Sequence, residues 1–186
     1  MILLVVGGAY FQEAPSSQNI KLVETPAEVK KSTYEELKIF PQYSLPLLKS
    51  AGHPYLNDED AVKPVVGNKE FNRRTVLVNF WASWCEVCKT EKPFLRELQL
   101  EFFEKNFTVL GVATSDEKKA ILDSGILDMI TYPVVFDQPG VLMEKLNIRA
   151  LPVSYLIDRQ GNILRRFVGP INEKFRDEIQ GVLRSR

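Results

Sequence analysis

Downstream of residue 74, the apolar residues are spaced as expected for strands that alternate with helices. Three nearly continuous apolar runs are typical of strands whose two faces are both covered: Val76–Trp81, Phe107–Ala113 and Val134–Phe136. Between the first two runs, Leu95, Leu98 and Phe102 recur at the spacing of one buried helix face. A helix is therefore predicted from Cys85 to about residue 104. We expect Pro93 to kink it, because proline removes one helical hydrogen bond.

The rest of the pattern predicts a helix, a short helical turn, a hairpin and a last helix, at residues 114–129, 141–146, 153–168 and 172–183. Thr114 and Glu117 can form a capping box at the start of the first, and Asn172 can cap the last. The element order is therefore β-α-β-α-β-(α)-β-β-α. This order predicts an α/β fold with a mixed central sheet flanked by helices, because alternation favours parallel strands and the hairpin adds an antiparallel edge.

The region before this pattern has a different character. The uncharged run Met1–Phe11 is too short to cross a bilayer and has the length of the apolar part of an export signal. We interpret it as the remnant of an export signal or membrane anchor, followed by a flexible linker at residues 12–18; an ordinary buried strand is the alternative. Residues 27–40 can form a short helix, and residues 52–72 are expected to be a loop. We therefore divide the chain into an N-terminal extension, residues 1–39, and one domain, residues 40–186.

Composition excludes several classes of protein. The 186 residues contain 24 Lys+Arg and 24 Asp+Glu, and this balance argues against a general nucleic-acid binder, which needs a clustered positive surface. The chain has one histidine, His53, and two cysteines, Cys85 and Cys88. These are too few for a four-ligand Cys/His zinc site, and two cysteines so close would cross-link too little chain for a disulfide scaffold. No metal site is expected, and His53 receives no role.

The two cysteines carry the most informative chemistry. They form a Cys-x-x-Cys pair where a predicted buried strand meets the start of a helix. The unpaired N–H groups at a helix start favour a thiolate at Cys85, which makes it the nucleophile. Cys88, about one turn later, can then attack the mixed disulfide and release the partner. Half of a zinc site and core-filling cysteines are the alternatives, but the spacing and position favour a redox pair.

The segment Trp81–Cys88, which reads WASWCEVC, resembles the active site of the thioredoxin superfamily. The chain is most similar to the exported TlpA/ResA/DsbE-like branch, through this segment, Glu91–Leu95 (EKPFL) and Ala150–Asp158 (ALPVSYLID) followed by Gly161. The resemblance covers roughly residues 40–184. It implies a thioredoxin-like fold for the domain.

The resemblance also implies roles for individual residues. Pro152 matches the position of a cis-proline opposite the cysteines, where the Leu151 backbone would face an extended substrate. Glu91, one turn after Cys88, matches an acidic residue that handles protons during exchange; a solvated helix glutamate is the alternative. Trp84 is expected on the partner-facing surface. Asn79 stands where cytosolic-type thioredoxins have a buried aspartate, which leaves Glu91 as the proton acceptor.

The expected function is that of a thiol–disulfide oxidoreductase, which reduces protein disulfides in the periplasm or at the cell envelope. Cys85 would attack and Cys88 would resolve, with no metal or organic cofactor because the dithiol is the redox centre. The resemblance implies a disulfide-containing client such as an apocytochrome c, and a thiol electron donor embedded in the membrane. Two alternatives stay open: a redox-inactive thioredoxin-like module that binds peptides, and a peroxidase of the peroxiredoxin type.

Overall fold

A computed structural model of the chain describes residues 37–184, apart from 55, 59–60 and 63–64. The expected signal remnant at Met1–Phe11 and the linker at 12–18 lie outside these residues. The helix expected at 27–40 falls partly outside them, and its last four residues are not helical. Ile39 instead forms an antiparallel bridge with Asn162.

The centre of the fold is a mixed sheet of seven strands. The strands of the described residues are β1 (Ser44–Lys49), β2 (Asn57–Asp58), β3 (Ala61–Val62), β4 (Val65–Gly67), β5 (Thr75–Trp81), β6 (Phe107–Thr114), β7 (Val134–Asp137), β8 (Val153–Ile157) and β9 (Ile163–Val168). The sheet order is β4-β1-β7-β6-β5-β8-β9, and β2 pairs only with β3. Strands β5, β6 and β7 are parallel, whereas the other pairs are antiparallel.

Helices connect the parallel strands and close the fold. Those of the described residues are α1 (Glu86–Thr90), α2 (Lys92–Phe102), α3 (Lys118–Asp123), α4 (Val141–Lys145) and α5 (Arg176–Arg184). The predicted α/β fold with a mixed central sheet flanked by helices is therefore confirmed. None of the helices in the described ranges has the length and apolar character that crossing a membrane requires.

The central strand β5 is buried on both faces, and its alternation decides what each face receives. Leu77 and Trp81 belong to the apolar cluster that also contains Leu95 and Leu98 of α2. Val78 and Phe80, which alternate with them, belong to the cluster on the opposite face. The same alternation places Asn79 on the α2 face, so one polar side chain lies in the middle of an apolar strand.

The long helix predicted from Cys85 is divided at Glu91, which ends α1 and precedes α2. Pro93 lies in the first turn of α2, where its missing N–H costs little. The helix is thus divided two residues before Pro93, rather than kinked at the proline itself. The stripe of Leu95, Leu98 and Phe102 is fully buried, as predicted.

Two local predictions are wrong. Residues 52–72 are not only a loop, because they contain β2, β3, β4 and a 3-10 turn at Asn68–Phe71. Thr114 does not form a capping box with Glu117: it is the buried last residue of β6, and its hydroxyl faces Asp137. The helix that follows is short and ends at Asp123, before Gly125 with its positive φ of 68°.

The predicted C-terminal elements are confirmed in detail. Asp158 closes the β8–β9 hairpin by accepting hydrogen bonds from the backbone N–H groups of Gln160 at 2.9 Å and Asn162 at 2.8 Å. Asn172 accepts from the backbone N–H of Lys174 at 3.1 Å, and so caps the 3-10 turn that leads into α5.

Candidate active site

The cysteine pair lies just beyond the carboxyl end of β5. Cys85 is the N-cap residue of α1, and its Sγ accepts a hydrogen bond from the Cys88 backbone N–H at 3.2 Å. The two residues form a disulfide, with their Cα atoms 5.2 Å apart. Cys85 is 7% exposed, whereas Cys88 is fully buried. Of the two residues, only Cys85 therefore has any surface that an attacking group from outside can reach.

The loop before the cysteines is fixed from the side by the segment that follows β6. Trp84 is 61% exposed, and its indole N–H donates to the Ser115 carbonyl at 2.8 Å. The Ser83 backbone N–H and hydroxyl both donate to the Asp116 carboxylate. A groove of about 550 Å³ opens beside Trp84 and is lined in part by Asp116 and Pro139. The site thus presents a fixed aromatic side chain next to an open groove.

The sheet register brings Pro152 to the same edge as the cysteines. Phe80 of β5 is paired with Val153 of β8, so Pro152 lies level with the carboxyl end of β5. The Leu151–Pro152 peptide bond is cis, as the resemblance implies. The Pro152 carbonyl accepts from the Gly169 backbone N–H at 2.9 Å, and Leu151 is half-buried between the two apolar clusters.

Glu91, one helical turn after Cys88, is buried and only 1% exposed. Its Oε1 accepts from the Asn79 amide at 2.8 Å, and its Oε2 accepts from the Ile171 backbone N–H at 2.7 Å. Burial raises the pKa of the Glu91 carboxyl above its ordinary value, although neighbouring Lys92 and these two donors oppose the rise. The solvated alternative is therefore excluded. A buried carboxyl of this kind can accept or release a proton where solvent does not reach.

Lys92 is a member of this cluster that the sequence reasoning missed. Its side chain is fully buried, its Nζ donates to Asn79 Oδ1 at 3.0 Å, and the same Nζ lies 4.6 Å from the centre of the Trp81 ring. Burial lowers the pKa of Lys92 to about 7, against the opposing effect of Glu91. One signal was available: Lys92 precedes Leu95 by three residues and so extends the buried stripe of α2.

Residues from three strands form the floor of this cluster. Asn79 on β5 is paired in register with Ser154 on β8 and with Gly111 on β6. The Asn79 amide also donates to the Ser154 hydroxyl at 3.0 Å. A Cβ at Gly111 would lie 3.0 Å from the Trp81 indole nitrogen, so this position leaves the space that the indole occupies. The predicted site residues Cys85, Cys88, Glu91 and Pro152 thus all lie near the carboxyl end of β5.

Comparison with known proteins agrees with this arrangement. A family model described as Redoxin matches residues 53–183. The chain is 26% identical over 116 residues to "Thiol-disulfide oxidoreductase ResA" of Bacillus thuringiensis subsp. konkukian, a match that covers 62% of this chain and 65% of that protein. It is 33% identical over 103 residues to "Thioredoxin-like protein YneN" of Bacillus subtilis, covering 54% and 60% respectively. The matched part is thus less than two thirds of these relatives' length.

Solved structures give the same fold. A putative thioredoxin from Neisseria meningitidis superposes with a TM-score of 0.64 and 27% identity, over 80% of this chain and 91% of that one. A putative thiol:disulfide interchange protein DsbE from Chlorobium tepidum superposes with a TM-score of 0.66 and 24% identity, over 80% and 95%. The thioredoxin-superfamily resemblance noted in the sequence is therefore confirmed.

Proposed function

This chain belongs to the Redoxin family, and we propose that it is a thiol–disulfide oxidoreductase that reduces protein disulfides outside the cytoplasm. The observation that carries the proposal is the asymmetry of the cysteine pair. Cys85, at the start of α1, keeps 7% of its surface exposed, whereas its disulfide partner Cys88 is fully buried. The attacking sulfur must be reached by the client disulfide, whereas the resolving sulfur needs to reach only Cys85. This arrangement therefore suits the two steps of thiol–disulfide exchange.

The proposed reaction begins from the reduced pair. The Cys85 thiolate attacks one sulfur of the client disulfide, and the other client sulfur leaves as a thiolate and takes up a proton. Cys88 then attacks Cys85 Sγ, its thiol proton passes to Glu91, and the second client sulfur leaves. Two electrons have moved to the client, and the Cys85–Cys88 disulfide of the present structure is the product. The dithiol carries both electrons, so no metal or organic cofactor is required.

Three further residues are proposed to meet the client. Trp84 offers an exposed ring beside the groove, and Leu151 with Pro152 lies at the same edge of the sheet. An extended client segment passing Leu151 would make backbone hydrogen bonds of the kind formed by an added strand. These contacts would hold the client disulfide against Cys85 Sγ while exchange takes place.

The cellular setting is also part of the proposal. The exported branch that the motifs resemble supports a periplasmic or cell-envelope site, and anchoring by the N-terminal segment is part of the same proposal. There the reductant must be regenerated by a thiol donor, which we propose to be embedded in the membrane. The client we propose is a disulfide-containing protein such as an apocytochrome c.

Trapping of the mixed disulfide tests the proposal. Reduced Cys88→Ala should form a stable adduct with a disulfide-containing client, since attack still occurs and resolution does not, and mass spectrometry of the adduct identifies the partner. Cys85→Ala is the matched control and should form none. An adduct with Cys85→Ala alone would reverse the two roles, and no adduct with either variant would contradict the exchange reaction.

A comparison of the wild type with Cys85→Ser distinguishes the proposed reductase from the two alternative functions. Cys85→Ser should lose all disulfide reduction that the wild type catalyses. A wild type without turnover, whose affinity for an extended peptide is unchanged in Cys85→Ser, would instead indicate a redox-inactive binding module. Consumption of added peroxide by the reduced wild type would indicate a peroxidase. Because Cys85→Ser keeps Trp84 and the groove beside it, the peptide affinity and the turnover of this variant can be compared directly with those of the wild type.

A further inference from the structure

The exchange reaction described above assigns no role to the Lys92 ammonium. The side chain of Lys92 is fully buried, and a buried charge is costly unless hydrogen bonds and other charges compensate it. Its compensation is specific: the Asn79 amide oxygen at 3.0 Å, the face of the Trp81 ring at 4.6 Å and the adjacent carboxyl of Glu91. These contacts place the Lys92 ammonium in the same polar cluster as the Glu91 carboxyl.

The contact with Lys92 fixes the orientation of the Asn79 amide. An ammonium group has donors and no acceptor, so only the oxygen end of an amide can face it. The nitrogen end must then point the other way, where it donates to Glu91 Oε1 at 2.8 Å and to the Ser154 hydroxyl at 3.0 Å. A flipped amide would place its NH2 group against the ammonium and its oxygen against the carboxyl.

We propose that Lys92 is a positioning residue for Glu91: through Asn79 it aims a hydrogen-bond donor at Oε1, and its charge stabilises the ionised carboxylate. The inference deepens the proposed function, because it rests on Glu91 as the group that receives the Cys88 proton. A carboxyl can receive that proton only when it is ionised. Lys92 therefore favours the ionised form of Glu91, which is the form that can accept the Cys88 proton in the resolving step.

The groups that face Lys92 and Glu91 come from every element packed around them. They are Asn79 and Trp81 on β5, Ser154 on β8 by way of Asn79, the Tyr132 phenol before β7 and the Ile171 backbone N–H after β9. Of these, the phenol stays neutral because burial raises its pKa well above the ordinary value. In the disulfide form, Glu91 and Lys92 are thus left to titrate, and two groups so close share their macroscopic steps.

Carbon-13 NMR of the disulfide form tests the inference without any client. In the wild type, the Glu91 Cδ and Lys92 Cε resonances should follow the same titration steps. In Lys92→Met, which keeps the length and loses the charge, the Glu91 midpoint should rise by about one pH unit or more, as expected for loss of an adjacent opposite charge. The pH profile of the resolving step, measured on a mixed disulfide between Cys85 and a small thiol, should move upward with it.

Lys89→Met is the matched control. Lys89 lies one turn earlier, on the half-exposed side of α1, and pairs with Glu86 at 2.6 Å. Its removal also deletes a positive charge close to the cysteines, yet it leaves the Asn79 contact intact. The Glu91 midpoint should therefore stay within roughly a few tenths of a pH unit of the wild-type value, because exposed charges are screened by solvent.

A Glu91 midpoint that is unchanged or lower in Lys92→Met overturns the inference. Should that variant fail to fold, the wild type decides alone: a Lys92 Cε resonance that titrates independently of Glu91 Cδ is equally contradictory. Neither measurement involves a client. Failure of the trapping experiment would therefore contradict the proposed function and leave the link between Lys92 and Glu91 standing.

Discussion

Two cations are buried against aromatic rings near the two ends of β5, and they differ in their partners. Arg74 precedes the strand, is 6% exposed and lies 4.3 Å from the centre of the Phe103 ring. Its Nη1 donates to the carbonyls of Phe103 and Phe107, both at 2.9 Å. Lys92, near the other end, is held by a side-chain amide that also contacts a carboxyl.

The difference separates a cation held by backbone carbonyls from one that, in our proposal, positions a carboxyl for the exchange reaction. Backbone carbonyls do not titrate, and a guanidinium stays charged at any pH at which a protein folds. An ammonium can lose its proton when buried, and the contacts of Lys92 lead through Asn79 to Glu91. The same architecture thus gives a fixed charge at one end of β5 and an adjustable one at the end that carries the cysteines.

The largest effect expected from this comparison is the loss of stability in Arg74→Met. The substitution removes the donor that two carbonyls share and the contact with the Phe103 ring, and should lower the free energy of unfolding by about 2–4 kcal/mol. Urea unfolding of the disulfide form measures it. Disulfide exchange by the folded variant should be unchanged, because the cluster lies at the opposite end of β5 from the cysteines.

Arg73→Met is the control for this measurement. Arg73 is the exposed neighbour of Arg74, so its removal deletes the same charge without deleting a buried contact, and surface substitutions of this kind cost less than about 0.5 kcal/mol. Equal losses in the two variants would show that net charge, rather than the buried contacts of Arg74, determines the stability.

The second expected effect is a change in the pH dependence of stability in Lys92→Met. Burial lowers the pKa of Lys92 from 10.5 to about 7. Between these values the unfolded chain binds more protons at this position than the folded one, so the free energy of unfolding rises with pH, by at most about 1.4 kcal/mol per unit. The variant lacks this rise. The stability of the wild type minus that of Lys92→Met should therefore increase from pH 7 to 9 in urea unfolding of the disulfide form.

Lys89→Met again serves as the control, because Lys89 pairs with Glu86 at the surface of the same helix. Its stability difference from the wild type should be nearly independent of pH over the same range. A constant difference for Lys92→Met as well would mean that the buried ammonium keeps its proton throughout, and the contrast with Arg74 would disappear.

Short segments of sequence were sufficient for the fold and for part of the site. The apolar runs and the stripe on α2 predict the sheet and its main helix because strand and helix periodicities are local properties. The Cys85-x-x-Cys88 spacing predicts the pair at the strand–helix junction, and the motif around Pro152 predicts its place. Each of these signals is contained in fewer than twenty residues of chain.

The buried polar cluster could not be predicted in the same way. Glu91 accepts from Ile171, which is 80 positions later, and Asn79 donates to Ser154, which is 75 positions later. No periodicity reports such contacts, because they follow from strand order and register. Lys92 is a different case: its place on the buried stripe was visible, but lysine is almost never fully buried unless it is paired, and its partner became apparent only in the fold.

The smallest expected effect concerns His53, whose protonation tests the influence of the positive charge of Arg74. His53 is buried between the rings of Phe71 and Phe103, with each ring centre 5.6 Å away. Burial and, to a smaller extent, the charge of Arg74 together lower its pKa from 6.5 to about 4. The unfolded chain therefore binds more protons between these values, so that stability is complete above pH 6.5 and declines as pH falls.

His53→Phe should remove this decline while keeping the ring contacts. The stability of the wild type minus that of the variant should fall by about 1–2 kcal/mol between pH 7 and 5, as measured by urea unfolding of the disulfide form. Disulfide exchange should be the same in both proteins, because His53 packs with Arg74 and not with the cysteines. If the stability difference between the wild type and His53→Phe does not change with pH, protonation of His53 costs the folded protein nothing. That result would contradict the opposing effects of burial and of the Arg74 charge.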